Sequence, residues 1–237
     1  MSLGPKLASF LKQLRRDGTA PLVLFRVGQR AAKVLRLAPA VSLLRCVIVE
    51  LVKPPKVLGG FHDLVVRRGE QSDVAALASM GGDEPALIRA RLDRGDLVFL
   101  GLLKDEVVCY TWFHAGPTPF LEERTFLAPW ALDDSTFWSY DANAKPEARA
   151  SGVFVKVFQA GLREVFEKHA AQRVRGFIYD TNLPSLNVHK RMGFTIVGGL
   201  TVVALAGKKL LRWTPTGGAT RQWLLPRDSD FAVPPQG

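Results

Sequence analysis

Residues 179–194 read Tyr179-Asp180-Thr181-Asn182-Leu183-Pro184-Ser185-Leu186-Asn187-Val188-His189-Lys190-Arg191-Met192-Gly193-Phe194. An apolar run, Val174 to Tyr179, predicts a strand that ends here, and helical spacing starts within four residues. Thr181 or Asn182 can cap the helix, Pro184 fits its first turn, and Gly193 supplies the left-handed residue at which such a helix stops. Asn182, Ser185 and His189 lie at i, i+3 and i+7, so one helical face carries all three above the strand end. A lone histidine on a helix is usually a packing or surface residue. Its alignment with two other polar groups leaves a role in a site equally open.

Some thirty residues upstream, Arg149-Ala150-Ser151-Gly152 follows a loop containing Pro146 and opens another helix. A helix N-terminus leaves amide N–H groups unpaired and carries part of a positive charge, so this turn has the outline of an anion site. Gly152 would admit a phosphate close to the backbone, Ser151 can cap or bond an oxygen, and Arg149 adds full charge. An ordinary capped helix start explains the same string. In the helix that follows, Phe154, Val157, Phe158, Leu162 and Val165 form one apolar stripe that reads as core, with Lys156, Arg163, Glu164 and Lys168 turned away.

Taken together, these stretches resemble the GNAT superfamily of acyl-CoA N-acyltransferases. Asn182, Ser185, His189 and Gly193-Phe194 follow that family's Asn-x-x-Ala/Ser-x-x-x-Tyr-x-x-x-Gly-Phe spacing. Arg149-x-x-Gly152 stands where its Arg/Gln-x-x-Gly-x-Gly/Ala pyrophosphate loop would, after Pro146-Glu147-Ala148. The resemblance covers roughly residues 62–214. It implies an α/β fold with a mixed, mostly antiparallel sheet and a V-shaped splay between two central parallel strands.

It also implies acetyl-CoA, or another acyl-CoA, as co-substrate, with no metal, and direct attack of an amine on the thioester. Backbone at Ala142, Asn143 and Ala144 would pair with pantetheine, and an N–H near Asn143 would polarise the thioester carbonyl. Arg149, Ala150, Ser151, Gly152, Val153 and Phe154 would hold the pyrophosphate, and Asn182 and Ser185 would line the cofactor side. His189 replaces the family's tyrosine as proton donor to the leaving thiolate, since a neutral imidazole still carries one N–H. Asp141 is the first candidate for the base that deprotonates the amine, with Glu122 and Glu123 as others. Phe154 departs from the family's small residue, and Ala150 from its glycine.

The remaining sequence reads β, α, α, β, β from Leu64 to Phe113, with a short antiparallel turn at Lys104-Asp105-Glu106, then a strand from Thr136 to Ala142 and an apolar pair over 194–214. Tyr110, Trp112 and Phe113 pack the sheet or shape an acceptor pocket; His62, His114 and His169 show no partner pattern. Three segments are expected: a basic helical extension over 1–60, the acyltransferase-like domain over 61–214, and an irregular tail over 215–237.

The chain has 237 residues and a net charge of +10, and residues 1–56 hold nine of those charges, eleven Lys and Arg against Asp17 and Glu50. Two helical stretches there, around Leu7 to Arg16 and Leu22 to Leu37, are basic and amphipathic. They are expected to pack on the domain or to contact an anionic membrane surface or an acidic protein such as an acyl carrier protein. Nucleic acid is not expected, because no aromatic and basic groove pattern accompanies the charge. Uncharged runs fall short of the roughly 18 apolar residues a spanning helix needs, and Cys46 and Cys109 lack metal spacing. The expectation is a cytoplasmic protein, at most peripheral to a membrane, that acylates a small-molecule or peptide amine. An acyl-carrier-protein or aminoacyl-tRNA donor, or a catalytically silent acyl-CoA sensor, are the alternatives.

Overall fold

The structure is a computed structural model that describes residues 41–55, 63–116, 120–121, 129–130, 133–149, 151–205, 208–217 and 222–224. The two basic helical stretches expected before residue 40, together with Ala150, Glu122 and Glu123, lie outside the described residues. In chain order the elements are β1 (Val41–Leu51), β2 (Val65–Arg68), α1 (Val74–Gly81), α2 (Pro85–Asp93), β3 (Leu97–Leu103) and β4 (Glu106–Ala115). A two-stranded ribbon, β5 (Phe120–Leu121) and β6 (Pro129–Trp130), precedes β7 (Thr136–Ala144), α3 (Val153–Lys168), β8 (Arg173–Tyr179) and α4 (Leu183–Met192). The last strands are β9 (Thr195–Leu205), β10 (Lys208–Pro215) and β11 (Gln222–Leu224).

Nine strands form one sheet in the order β11-β10-β9-β1-β8-β7-β4-β3-β2. Every pairing in it is antiparallel except that of β7 with β8. β3 shows why such strands need both faces covered. Val98 and Leu100 belong to the core on one side, with Leu77 and Ile88 of α1 and α2, while Leu97 and Phe99 join Val157, Leu162 and Val165 of α3 on the other. The β3–β4 turn is tighter than expected. Glu106 already pairs with Leu103, and Lys104 and Asp105 both take positive φ, 50° and 62°, as a two-residue turn matched to strand twist requires.

Two boundaries are corrected. Val41–Leu51, assigned by charge to the extension, is a strand inside the sheet, antiparallel to both β8 and β9. Ile48 is fully buried there, and the Glu50 carboxylate receives the Arg175 Nε–H of β8 at 2.6 Å. Gln222–Leu224, assigned to the irregular tail, pairs with β10 at the sheet edge. No helix among the described residues is long and apolar enough to cross a membrane.

α3 presses onto the sheet at Gly161. A β-carbon built there would stand 2.4 Å from Phe113 Cε2 and 2.9 Å from Phe99 Cδ2, two rings already in edge-to-face contact. Gly161→Ala is therefore expected to lose about 1–2 kcal/mol, an overpacking cost that exceeds the helix-propensity gain. Urea unfolding measures it, and a rise in midpoint would refute the close approach.

Candidate active site

β7 and β8 pair only from Thr136–Arg173 to Ser139–Gly176, although β7 continues to Ala144 and β8 to Tyr179. At the last rung a β-carbon on Gly176 would lie 2.6 Å from Ser139 Oγ, so the strands touch there and part immediately afterwards. This is the expected splay. Into it opens a cavity of about 340 Å³, with Ser139 to Ala142 on one wall and Phe177 to Tyr179 on the other. Phe154 and Phe158 of α3 and Asn182, Ser185 and His189 of α4 complete the lining, with Thr111 behind β7.

The helix-borne trio is brought together as its spacing requires. Asn182 caps α4, its Oδ1 accepting the Ser185 N–H at 3.2 Å, and Gly193 ends the helix at φ 100°. His189 is buried, 7% exposed, among Phe194 at 4.9 Å, Phe158 at 5.1 Å and Phe154 at 6.4 Å between ring centroids. Its Nδ1 lies 2.8 Å from the Ser185 carbonyl oxygen, which can only accept, so Nδ1 carries the proton. Burial lowers the ring's pKa to about 4, against a smaller opposing effect of that hydrogen bond. The imidazole is neutral near pH 7, and its single N–H is given to the backbone. The expected proton donor is thus an acceptor at Nε2.

Asp141 reaches the cavity wall by a different route. Tyr110 pairs with Asn143 and Trp112 with Tyr140, so Asp141 and Ala142 together oppose Thr111 in a β-bulge. Asp141 sits there at φ 40°. Its Oδ2 accepts from Arg91 Nη1 at 2.6 Å and its Oδ1 from the Tyr110 hydroxyl at 3.2 Å. The sequence offered no sign of Arg91, which lies on α2.

The loop after β7 makes a 3-10 turn over Pro146–Ala148, and Gly152 turns the chain into α3 at φ 83°. Ser151 Oγ donates to the Ala148 carbonyl at 2.6 Å and accepts the Val153 N–H at 3.4 Å. Arg149 Nε–H is directed to the Ala144 carbonyl at 3.0 Å. Asn143, Ala144 and Arg149 line a neighbouring cavity of about 510 Å³ beside α1 rather than the splay, and Asn143 Nδ2 donates to the Met80 carbonyl at 3.0 Å. Phe154 is half-buried on the splay side and stacks on Phe158 at 5.3 Å. The reading of the sequence missed Ser139, Phe177 and Tyr179. Only their place where the β7–β8 ladder ends and opens makes them cavity walls.

Among solved structures, a GNAT-family acetyltransferase from Colwellia psychrerythraea superposes with a TM-score of 0.50 at 9% identity, over 69% of this chain and 57% of its own. The protein has the GNAT fold. A Drosophila protein matches it with a TM-score of 0.51 at 18% identity, over 75% of this chain and 57% of its own. A conserved protein of unknown function from Staphylococcus epidermidis gives 0.52 at 8%, over 74% and 66%. The chain thus spans little more than half the length of the first two. No protein-family profile and no curated protein sequence matches it. In this GNAT fold the neighbour of β8 on the side away from β7 is β1, supplied from upstream of the motifs.

Proposed function

We propose that the protein is an acyl-CoA-dependent N-acyltransferase, most simply an acetyltransferase. The observation that carries this reading is the cavity that starts where the β7–β8 ladder stops and is roofed by Asn182, Ser185 and His189. An acyl-CoA supplies a thioester carbonyl and a thiol leaving group. Strand backbone past Ser139 has no β8 partner in the ladder, and such groups can pair with the amides of an extended ligand arm. The bulge at Asp141 and Ala142 places peptide groups out of register on the other side as well, where an N–H can stabilise charge on the reacting carbonyl. The turn from Ser151 to Phe154 offers the start of a sixteen-residue helix to the diphosphate.

In the transfer a bond forms between the amine nitrogen and the acyl carbon, the C–S bond breaks, and the amine's proton ends on the thiolate. His189, neutral with Nε2 as acceptor, can receive that proton directly or through water and pass it on. The basic segment before residue 40 would add attraction to an acidic donor protein or an anionic surface.

Calorimetric titration with acetyl-CoA tests the reading, together with thiol release in the presence of a panel of primary amines. Saturable binding and amine-dependent thiol release are expected; no binding to acetyl-CoA or longer acyl-CoAs overturns it. A second reading, a sensor that binds acyl-CoA without turning it over, draws on Phe154. Its ring stands on the splay side of the phosphate turn, where it narrows the donor's seat. Binding without thiol release would select that reading.

A further inference from the structure

Asp141 looks at first like the base for the attacking amine, but its surroundings describe another task. Its side chain is 8% exposed, and both oxygens are engaged, one by the Arg91 guanidinium at 2.6 Å and one by the Tyr110 hydroxyl at 3.2 Å. A guanidinium stays charged at any working pH and has donors only, so it competes permanently for the lone pairs a base would use. Arg91 is itself fixed from three sides. It bridges to Asp83, in the α1–α2 connection, at 3.2 Å, and its guanidinium carbon lies 5.4 Å from the Trp112 ring and 5.1 Å from that of Tyr140. The Tyr110 hydroxyl packs close against the end of α1, where a β-carbon built on Gly81 would come within 2.5 Å of it.

What this anchorage holds is a backbone at a break in the ladder. At φ 40° Asp141 occupies the left-handed region, which L-residues other than glycine avoid and which asparagine and aspartate tolerate best. The β8 ladder has ended two residues earlier, and the β4 ladder skips the pair Asp141 and Ala142. Both residues line the cavity.

We propose that Asp141 is a positioning residue: tied to Arg91 and Tyr110, it clamps the β7 bulge in its left-handed turn and so fixes the peptide groups that face the donor's carbonyl. The inference rests on the acyltransferase reading for its consequence, though the clamp itself does not. It connects the α1–α2 layer to the cavity backbone through one carboxylate.

Three substitutions separate clamp from base. Asparagine keeps an acceptor for Arg91 and tolerates the left-handed turn, glycine keeps only the turn, and alanine keeps neither. A clamp predicts turnover falling in the order Asp141→Asn, Asp141→Gly, Asp141→Ala. The alanine variant should lose about 100-fold in kcat, as when an oxyanion donor is misplaced, with the shape of the pH profile unchanged. A base predicts equal loss in all three and a displaced acid limb, and that result overturns the proposal.

Amide hydrogen exchange over residues 141–143, read on the free protein, supplies the measurement independent of activity. Exchange should accelerate in Asp141→Ala and Arg91→Lys, and least in Asp141→Asn. Unchanged exchange in Asp141→Ala overturns the clamp whatever the activity. If the wild-type protein neither binds nor turns over acyl-CoA, the acyltransferase reading fails and the exchange ranking still decides the clamp.

Discussion

Asp96→Ala is expected to cost about 3–5 kcal/mol of stability, the loss typical of removing one member of a buried charged network. Asp96 is 3% exposed at the entry to β3. Its carboxylate receives the Arg94 guanidinium at 2.5 and 3.2 Å, lies 2.5 Å from His114 Nδ1, and accepts a short hydrogen bond from the Tyr140 hydroxyl. Burial raises the carboxyl's pKa, but the bonds from His114, Arg94 and Tyr140 outweigh it and hold it below the ordinary value. Tyr140, buried beside that negative charge, is held well above its own ordinary value and remains a donor. Alanine would leave His114 and Tyr140, 1% and 5% exposed, without this acceptor.

For a domain of this size the melting temperature should fall by roughly 10 °C. A folded-state carboxyl held low contributes stability that is present above its ordinary pKa and lost as pH falls through the lowered value. The wild-type protein should therefore shed this stability only below about pH 4, and Asp96→Ala should lack that acid step. Urea midpoints measured from pH 7 to pH 3 test both. A variant within 1 kcal/mol of wild type would mean that the network contributes little.

The sequence made legible what single elements arrange. Helical spacing brought Asn182, Ser185 and His189 to one face and Val157, Phe158, Leu162 and Val165 to another. Gly193 was marked as the left-handed stop of its helix, where that backbone indeed occurs. It could not show what distant segments bring together. Val41–Leu51 was read with the arm because its sheet partners come much later, as with Glu50 and Arg175, 125 positions apart.

Arg91 and Asp141 are 50 positions apart, and Asp96 and His114 meet through the register of β3 and β4. His114 therefore looked idle by its neighbours in sequence and is the partner of a buried carboxylate. The chemistry of His189 was misread for a related reason. Which ring nitrogen keeps the proton depends on the carbonyl of Ser185, one turn back, and on three phenyl rings, two from α3 and Phe194 just before β9, that no local pattern places around it.

That environment makes His189 the second large contributor to acid sensitivity, in a separate window. Burial among Phe154, Phe158 and Phe194 disfavours the imidazolium, so the folded pKa falls to about 4, with the Ser185 carbonyl opposing only in part. Between the ordinary value near 6.5 and that lowered value, the unfolded chain binds a proton that the folded protein refuses. Stability is complete above the unfolded value and declines as pH drops toward the folded one, by roughly 3 kcal/mol for a shift of this size.

His189→Gln keeps an N–H for the Ser185 carbonyl and an acceptor for the cavity, and it does not titrate. Urea unfolding of both proteins from pH 7 to pH 4.5 should show a steep decline for wild type and a shallower one for the glutamine variant, their difference shrinking with acid. Parallel curves would show that the ring titrates normally. Were that so, a minor fraction of His189 would be imidazolium at neutral pH. Lowered by burial, the resting ring would enter the proposed transfer as an acceptor, and any acid limb of turnover near pH 6.5 would have to come from the amine or another group.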